Sequence, residues 1–219
     1  MLTLFVILLC LAFCEGYIPT FTRLLPPRNL YNTQSQNSQL RRVSALFASP
    51  SASSSPSLRD VGFVLLAGGT GSRMKANMPK QFLQLRGDTV LSHSLTLFLK
   101  TLPGMPCGKP AKVVLVMDKR YRSDFAGWAS SGDLVFADPG VERQGSVENG
   151  LALLASCAPK AEFVAVHDSA RPLVTPAEVL AVVGDAKEHG AAVLGVPCKA
   201  TIKESEDGET VLRTIPRSR

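Results

Sequence analysis

The sequence predicts an α/β fold with a mostly parallel sheet over residues 59–219. Short, unbroken apolar runs of strand length recur along this region. Amphipathic helical stretches separate them, and each run ends in small or acidic residues. The first run, 61–67 (VGFVLLA), is apolar without alternation, as a strand covered on both faces requires. The runs 111–118 (AKVVLVMD), 133–138 (DLVFAD), 161–168 (AEFVAVHD) and 191–197 (AAVLGVP) repeat the pattern.

The intervening stretches carry helical periodicity. Residues 89–102 place Leu91, Leu95, Phe98, Leu99 and Leu102 on one face, and 143–157 do the same with Val147, Leu151 and Leu154. Residues 175–190 open with a capping-box pattern from Thr175 to Glu178, with Pro176 at the first helical position, and close at Gly190. Strands that alternate with helices supply the crossovers parallel pairing needs. Ligands in such sheets lie beyond the carboxyl ends of the strands. Chemistry is therefore expected just after Ala67, Asp118, Asp138 and Asp168. The last stretch, 200–219, has two short β-like runs around Asp207-Gly208, a hairpin signal. It is charged and weakly apolar, which predicts an arm that projects or packs on a partner.

The formal net charge of +6 divides evenly: residues 1–60 contribute +3 and residues 61–219 the other +3. The body is only mildly basic, and its one tryptophan (Trp128) and three tyrosines form no stacking platform. That composition fits a small anionic substrate better than a nucleic acid. The five cysteines (10, 14, 107, 157 and 198) show no CxxC pairing, so neither a disulfide framework nor a zinc site is expected.

Residues 1–60 read differently. The apolar run 2–14 has the length of a signal-peptide core and is too short to span a bilayer comfortably, so 1–16 are expected to be a signal peptide. Residues 17–58 hold nine serines between 35 and 57, four arginines and no acid, the composition of an organellar transit segment. The two in series predict a plastid reached through the secretory route, and no membrane association of the mature form.

Three loops carry the chemistry. After the first strand comes AGGTGSRM (67–74), then PKQ (79–81). The spacing is neither that of a P-loop nor that of the dinucleotide fingerprint. Small residues nonetheless let backbone N–H groups approach a phosphate chain, and Arg73 and Lys80 add a planar fork and a mobile point charge. The second loop, DPGVERQGSV (138–147), brings Arg143, Gln144 and Ser146 to a helix start, where free N–H groups accept anions or a base carbonyl. The third, VHDSARP (166–172), ends a strand with Asp168 and Arg171. Asp168 can hold Mg²⁺ through one carboxylate, can pair with Arg171, or both. His167, on a buried strand, reads as a hydrogen-bonded core residue.

Together with GVPCKATIK (195–203) and TIPRSR (214–219), these stretches resemble the 2-C-methyl-D-erythritol 4-phosphate cytidylyltransferase family, the plastid type most closely, over about residues 61–219. The resemblance implies a Rossmann-like nucleotidyltransferase fold and a homodimer built through exchanged β-arms, residues 198–219 here. It implies transfer of CMP from CTP to methylerythritol phosphate with release of pyrophosphate, assisted by Mg²⁺. By motif, Arg73 and Lys80 match the catalytic cations on the triphosphate. Ala67, Gly68, Gly69 and Gly71 match its backbone cradle. Gly140, Arg143 and Ser146 match the cytosine-reading set, and Asp168 the ribose and metal contact. Ser169, Arg171, Thr201, Lys203 and Arg217 match the methylerythritol phosphate side, with Arg217 reaching a partner's site.

The sequence departs from the family at Gly145, where an Asp is usual, and at Pro216, where an acid is usual. It also stops within the return strand of the arm, which predicts a C-terminally incomplete chain, poorly soluble and weakly active. A ribitol 5-phosphate cytidylyltransferase shares the nucleotide motifs, and an inactive nucleotide-binding remnant is the non-enzymatic reading. The VLGVPCKATIK stretch and the leader favour methylerythritol phosphate.

Overall fold

The structure, a computed structural model, describes residues 5–9 (backbone only), 55–69, 78–195 and 200–216. Gly71, Arg73, Cys198 and Arg217 lie outside the described residues, as does nearly all of the expected leader.

In chain order the described elements are β1 (Phe5–Leu9), β2 (Val61–Leu66), the short pair β3 (Gln84–Leu85) and β4 (Asp88–Thr89), α1 (Val90–Thr96), β5 (Lys112–Val116) and α2 (Ala126–Ala129). There follow β6 (Leu134–Ala137), α3 (Arg143–Cys157), β7 (Phe163–Asp168), α4 (Pro176–His189), β8 (Lys203–Glu204) and β9 (Arg213–Thr214). The main sheet has the order β1-β7-β2-β5-β6, and every pairing in it is parallel. The predicted parallel α/β fold is thus present.

β2 is buried along its whole length because both sheet faces are covered. Phe63 and Leu65 face a core built with Leu91 and Leu95 of α1 and Val179, Val182 and Val183 of α4. Val64 and Leu66 face the other side, with Val114, Val116 and Leu154 of α3. From β2 the chain winds outward through β5 to β6, then crosses back over α3 to β7 on the opposite side of β2. The carboxyl ends of β2 and β7 therefore flank a topological switch point, where α/β sheets open a crevice.

α4 forms as its sequence predicts. Thr175 Oγ1 accepts the Glu178 N–H at 3.3 Å, the Glu178 carboxylate accepts the Thr175 N–H at 2.8 Å, and Gly190 ends the helix at φ 88°. The expected hairpin also forms. Gly208 takes φ 78°, and Asp207 Oδ1 accepts the N–H groups of Glu209 and Thr210.

Three predictions need correction. Over 191–195, the described part of the run 191–197, there is no strand of the main sheet: only Val193 makes an isolated bridge, and Val193 is exposed. Only Leu194 of this described stretch is buried, and apolar composition alone does not make a strand. The helix expected over 89–102 keeps α geometry only to Thr96, then widens to a π-turn over Leu97–Thr101 and tightens at Leu102–Gly104, where Pro103 and Gly104 end it. Finally, the core starts at Leu58, which is fully buried in what reads as the end of the transit segment.

β1 lies within the expected signal peptide and pairs with β7 from Phe5↔Phe163 to Leu9↔His167. Cleavage of the leader would remove it and leave β7 as the sheet edge.

α3 sits close to the sheet because Gly150 faces it. A Cβ there would lie 2.5 Å from Val64 Cγ1 and 3.0 Å from Val116 Cγ2, both on stiff, buried side chains. Gly145, one turn into the same helix, would bring a Cβ only to 3.4 Å from Gly140 Cα. Alanine relieves the helical cost of glycine at both positions, by roughly 0.5–1 kcal/mol. At Gly150 overpacking of about 1–3 kcal/mol overrides that gain. Urea unfolding should therefore show Gly145→Ala more stable than the parent and Gly150→Ala less stable. Equal shifts of the same sign would contradict this packing.

Candidate functional site

The β2–β7 register sets the site. Leu66 lies opposite Asp168, so the loops leaving both strands start side by side. The Ser169 N–H continues the ladder to the Leu66 carbonyl at 3.1 Å, and the Ala67 N–H bonds Val116 on the other side at 2.8 Å. Gly68 then passes the exit of β6, two strands away, so closely that a Cβ would come within 2.7 Å of Pro139 Cβ. The glycine is demanded by this close approach, since its backbone must slip past the proline ring.

Asp168 is the centre of the arrangement. Its Oδ1 accepts the Ala170 N–H at 3.1 Å. Its Oδ2 faces three cations: Arg143 Nη1 at 3.6 Å, Arg171 Nε at 3.7 Å and Lys80 Nζ at 3.9 Å. The cations come from three separate loops, the start of α3, the exit of β7, and the 3₁₀ turn Lys80–Phe82. Burial works to raise the Asp168 pKa, but the Ala170 amide and then Lys80, Arg143 and Arg171 outweigh it and hold the carboxyl below its ordinary range. The carboxylate is thus ionised, and it meets three cations at once. The distances are longer than hydrogen bonds, so these are ion pairs rather than locked contacts. Arg171 Nε is buried with no hydrogen-bond partner among the described residues.

Gly140 and Ser146 shape the second loop. The Gly140 N–H donates to Ser146 Oγ at 3.0 Å, and that hydroxyl donates in turn to the Glu142 carbonyl at 3.2 Å. A Cβ on Gly140 would fall 2.5 Å from the Gly145 carbonyl carbon, so the loop folds flat onto the first turn of α3. Ser146 is buried, its hydroxyl bracing the loop rather than facing solvent. Ser169 is fully buried. Its carbonyl accepts Ser94 Oγ–H from α1 at 3.0 Å, and its own hydroxyl has no partner among the described residues.

The structure thus gathers Ala67, Gly68, Gly69, Lys80, Gly140, Arg143, Ser146, Asp168, Ser169 and Arg171 at or beside one strand-end crevice. Thr201 and Lys203 are not among the side chains around Asp168. They belong to the β8–β9 arm, where Lys203 Nζ bonds Thr214 Oγ1 at 2.6 Å and Arg213 pairs with Glu204. Nor do all strand-end carboxylates mark chemistry. Asp118 caps the next turn and pairs with Arg120, and Asp138 is held by Arg122 and Lys119. Both are spent on local structure. Ser94 was missed by sequence reading because a serine on a helix's apolar face carries no motif.

His167 is in the core, as predicted, but no hydrogen bond reaches either ring nitrogen among the described residues. It packs on Phe98, with ring centroids 5.1 Å apart. Burial drives its pKa down to about 4; the Asp168 charge opposes this and Arg171 adds to it. It is therefore a neutral packing residue at physiological pH.

Among the described residues no three His, Cys, Asp or Glu side chains converge to hold a metal. A divalent ion here would rest on Asp168 alone, with phosphate oxygens and water completing its shell. Mg²⁺ is commonly held that way, and the ionised Asp168 fits it.

A parallel sheet that gathers cations at its switch point, between glycine-bearing loops, is an α/β arrangement suited to phosphorylated ligands. Solved structures agree on the fold. That of 4-diphosphocytidyl-2C-methyl-D-erythritol synthase from Anaerococcus prevotii superposes with a TM-score of 0.56 at 19% identity, over 72% of this chain and 64% of its own.

Within that class the chain belongs to the 2-C-methyl-D-erythritol 4-phosphate cytidylyltransferase family, whose model matches residues 61–219. It is 46% identical over 161 residues to the chloroplastic protein of that name from Oryza sativa subsp. japonica, covering 73% of this chain and 51% of the relative. It is 39% identical over 159 residues to that from Bacillus velezensis, covering 71% of this chain and 64% of the relative. The chain thus spans between about half and two thirds of these relatives' length.

The His167 environment sets a pH dependence. Its folded pKa of about 4 lies below the ordinary 6.5. Between these values the unfolded chain binds a proton the folded chain refuses, so stability falls as pH drops through the window. Above it the group adds nothing. The full loss is about 3 kcal/mol. His167→Leu should flatten the stability–pH curve between pH 6.5 and 4, read from urea midpoints; an unchanged slope would rule out this assignment.

Proposed function

We propose that the chain transfers CMP from CTP to 2-C-methyl-D-erythritol 4-phosphate, releasing pyrophosphate. The convergence of Lys80, Arg143 and Arg171 on Asp168 carries this reading, because it supplies positive charge where two anionic phosphates must meet. The names of the rice and Bacillus relatives supply the substrate pair.

In the step, an oxygen of the methylerythritol phosphate attacks the α-phosphorus of CTP. The new P–O bond forms as the α–β bridging bond breaks, and its electron pair leaves with pyrophosphate. The nucleophile is a phosphate monoester, already largely ionised at neutral pH because its second pKa is about 6. No general base is required, and the neutral, buried His167 is not asked to be one. The work of the protein is alignment and charge neutralisation. Lys80 and Arg73 bind the triphosphate, with Gly68 and Gly69 leaving the backbone amides of their loop unobstructed. The loop braced by Gly140 and Ser146, with Arg143, receives the cytosine and ribose side. Arg171 and Ser169 are assigned to the incoming phosphate. Asp168 would hold Mg²⁺, which would supply further neutralisation of the phosphates.

We further propose that the β8–β9 arm pairs two copies, so that Thr201, Lys203 and Arg217 of one protomer complete the partner's site. Val211 and Leu212 are each 60% exposed on this arm, as an interface residue is before assembly. The plastid is the proposed location, in line with the chloroplastic rice relative.

Pyrophosphate release from CTP should require methylerythritol phosphate, with ribitol 5-phosphate a poor substitute. The opposite preference would move the chain to the other alcohol. Lys80→Ala should lower turnover on the order of 10²–10³-fold, the usual cost of one charge-stabilising contact, with an unchanged thermal midpoint. Turnover within a factor of two of the parent would remove Lys80 from the reaction.

A further inference from the structure

One residue of the PKQ stretch has no role in the chemistry above, yet its side chain links two parts of the proposed phosphate site. Gln81 is 3% exposed. Its Nε2 donates both its protons to the glycine loop: to the Ala67 carbonyl at 2.7 Å and to the Gly69 carbonyl at 3.1 Å. Gln81 is also the middle residue of the 3₁₀ turn that Lys80 opens, closed by Phe82 N–H to Pro79 and Leu83 N–H to Lys80. One amide therefore fixes the Lys80 turn to the backbone leaving β2. We infer that Gln81 is a positioning residue, holding Lys80 and the glycine loop in mutual register around the triphosphate. The inference rests on the proposed reading of this crevice as the nucleotide site.

Three features argue for positioning rather than mere packing. First, a glutamine amide is an expensive group to bury, and it stays buried only where its donors are matched. Here both matched acceptors are carbonyls of the loop. Second, a trans peptide points its N–H opposite its C=O. Drawing the Ala67 carbonyl towards Gln81 therefore turns the Gly68 N–H away from Gln81. The clamp sets the direction of a loop amide as well as the position of the lysine. Third, Lys80 is 44% exposed and reaches Asp168 only at 3.9 Å, so its own contacts do not fix its turn. Gln81 supplies the anchor at the base of that side chain.

The test uses the full chain and two nearly isosteric variants, Gln81→Met and Gln81→Glu, each of which removes both donors while keeping the volume. Each is combined with Lys80→Ala. Turnover is followed by pyrophosphate release and CTP affinity by calorimetry. A misplaced reacting group costs about 10²-fold in rate, so kcat should fall on that order while the KM for the alcohol phosphate moves less than about threefold. In the Lys80→Ala background the same change at Gln81 should cost little, because the group it positions is gone. A merely structural glutamine would give losses that multiply with those of Lys80→Ala, or a uniform loss of active protein with kcat unchanged per folded site. Either result overturns the inference, as does failure of both variants to fold. If the parent binds CTP but transfers nothing, the proposed function fails alone, and the same coupling is then read in CTP affinity. If the parent does not bind CTP, both fall.

Discussion

The carboxylate of Asp168 is the constraint on which the rest of the site depends. Lys80, Arg143 and Arg171 would repel one another if brought to a shared point without an anion between them. At the crevice the dielectric is lower than in bulk water, so that repulsion is felt more strongly than on an open surface. Asp168 makes the gathering possible in the absence of substrate, and it does so without saturating the cations, since all three stand at 3.6–3.9 Å. Its own placement follows from strand register. Asp168 is the last residue of β7, opposite Leu66 of β2, and a slip of one residue would turn its side chain to the other face of the sheet. The register is in turn set by a core in which successive residues of both strands are buried on alternate faces.

Close approach is the second constraint. Three glycines let the backbone meet backbone, a ring or a stiff side chain where a Cβ would clash: Gly68 at Pro139, Gly140 at Gly145, and Gly150 at Val64. The first two draw the strand-end loops together around Asp168, and the third sets α3, and with it Arg143, at its distance from the sheet. Glycine here is a matter of space; none of the three appears among the residues of positive φ. The Gly140–Gly145 contact also bears on the departure from the family pattern at 145. A side chain there would meet Gly140 at ordinary contact distance, so the absence of an Asp is not forced by packing.

Much of this was legible in the sequence, and for identifiable reasons. The continuous apolar runs of β2, β5 and β7 could only be doubly covered strands, and the caps of α4 are local hydrogen-bond patterns written in four residues. The cations were legible as types at strand ends. Their convergence was not, because it depends on strand order, which brings β7 back beside β2. Three strand-end carboxylates looked equivalent in sequence, yet Asp118 and Asp138 have basic neighbours of their own within a few residues or across the next loop, and only Asp168 is left to the crevice. The run at 191–197 misled because apolar composition shows that a segment can be buried, not that a sheet edge is open to it. Ser94 and Gln81 were invisible as site residues because each acts through a backbone carbonyl far along the chain, to Ser169 and to Ala67 and Gly69, and such contacts leave no periodicity.

The same geometry explains how one residue can serve both the empty and the loaded site. In the proposed function, the phosphates entering the crevice would offer Lys80 and Arg171 more negative charge than Asp168 does, and at hydrogen-bonding distance. The cations can therefore turn from the carboxylate to the phosphates with a small movement rather than a loop rearrangement. Released from that duty, Asp168 would still be held by the Ala170 amide through Oδ1, and its Oδ2 would be available to a divalent cation. That exchange needs a rigid frame with loosely held side chains. The buried clamps at Gln81, Ser94 and Ser146 supply the rigidity, and ion pairs longer than hydrogen bonds supply the freedom.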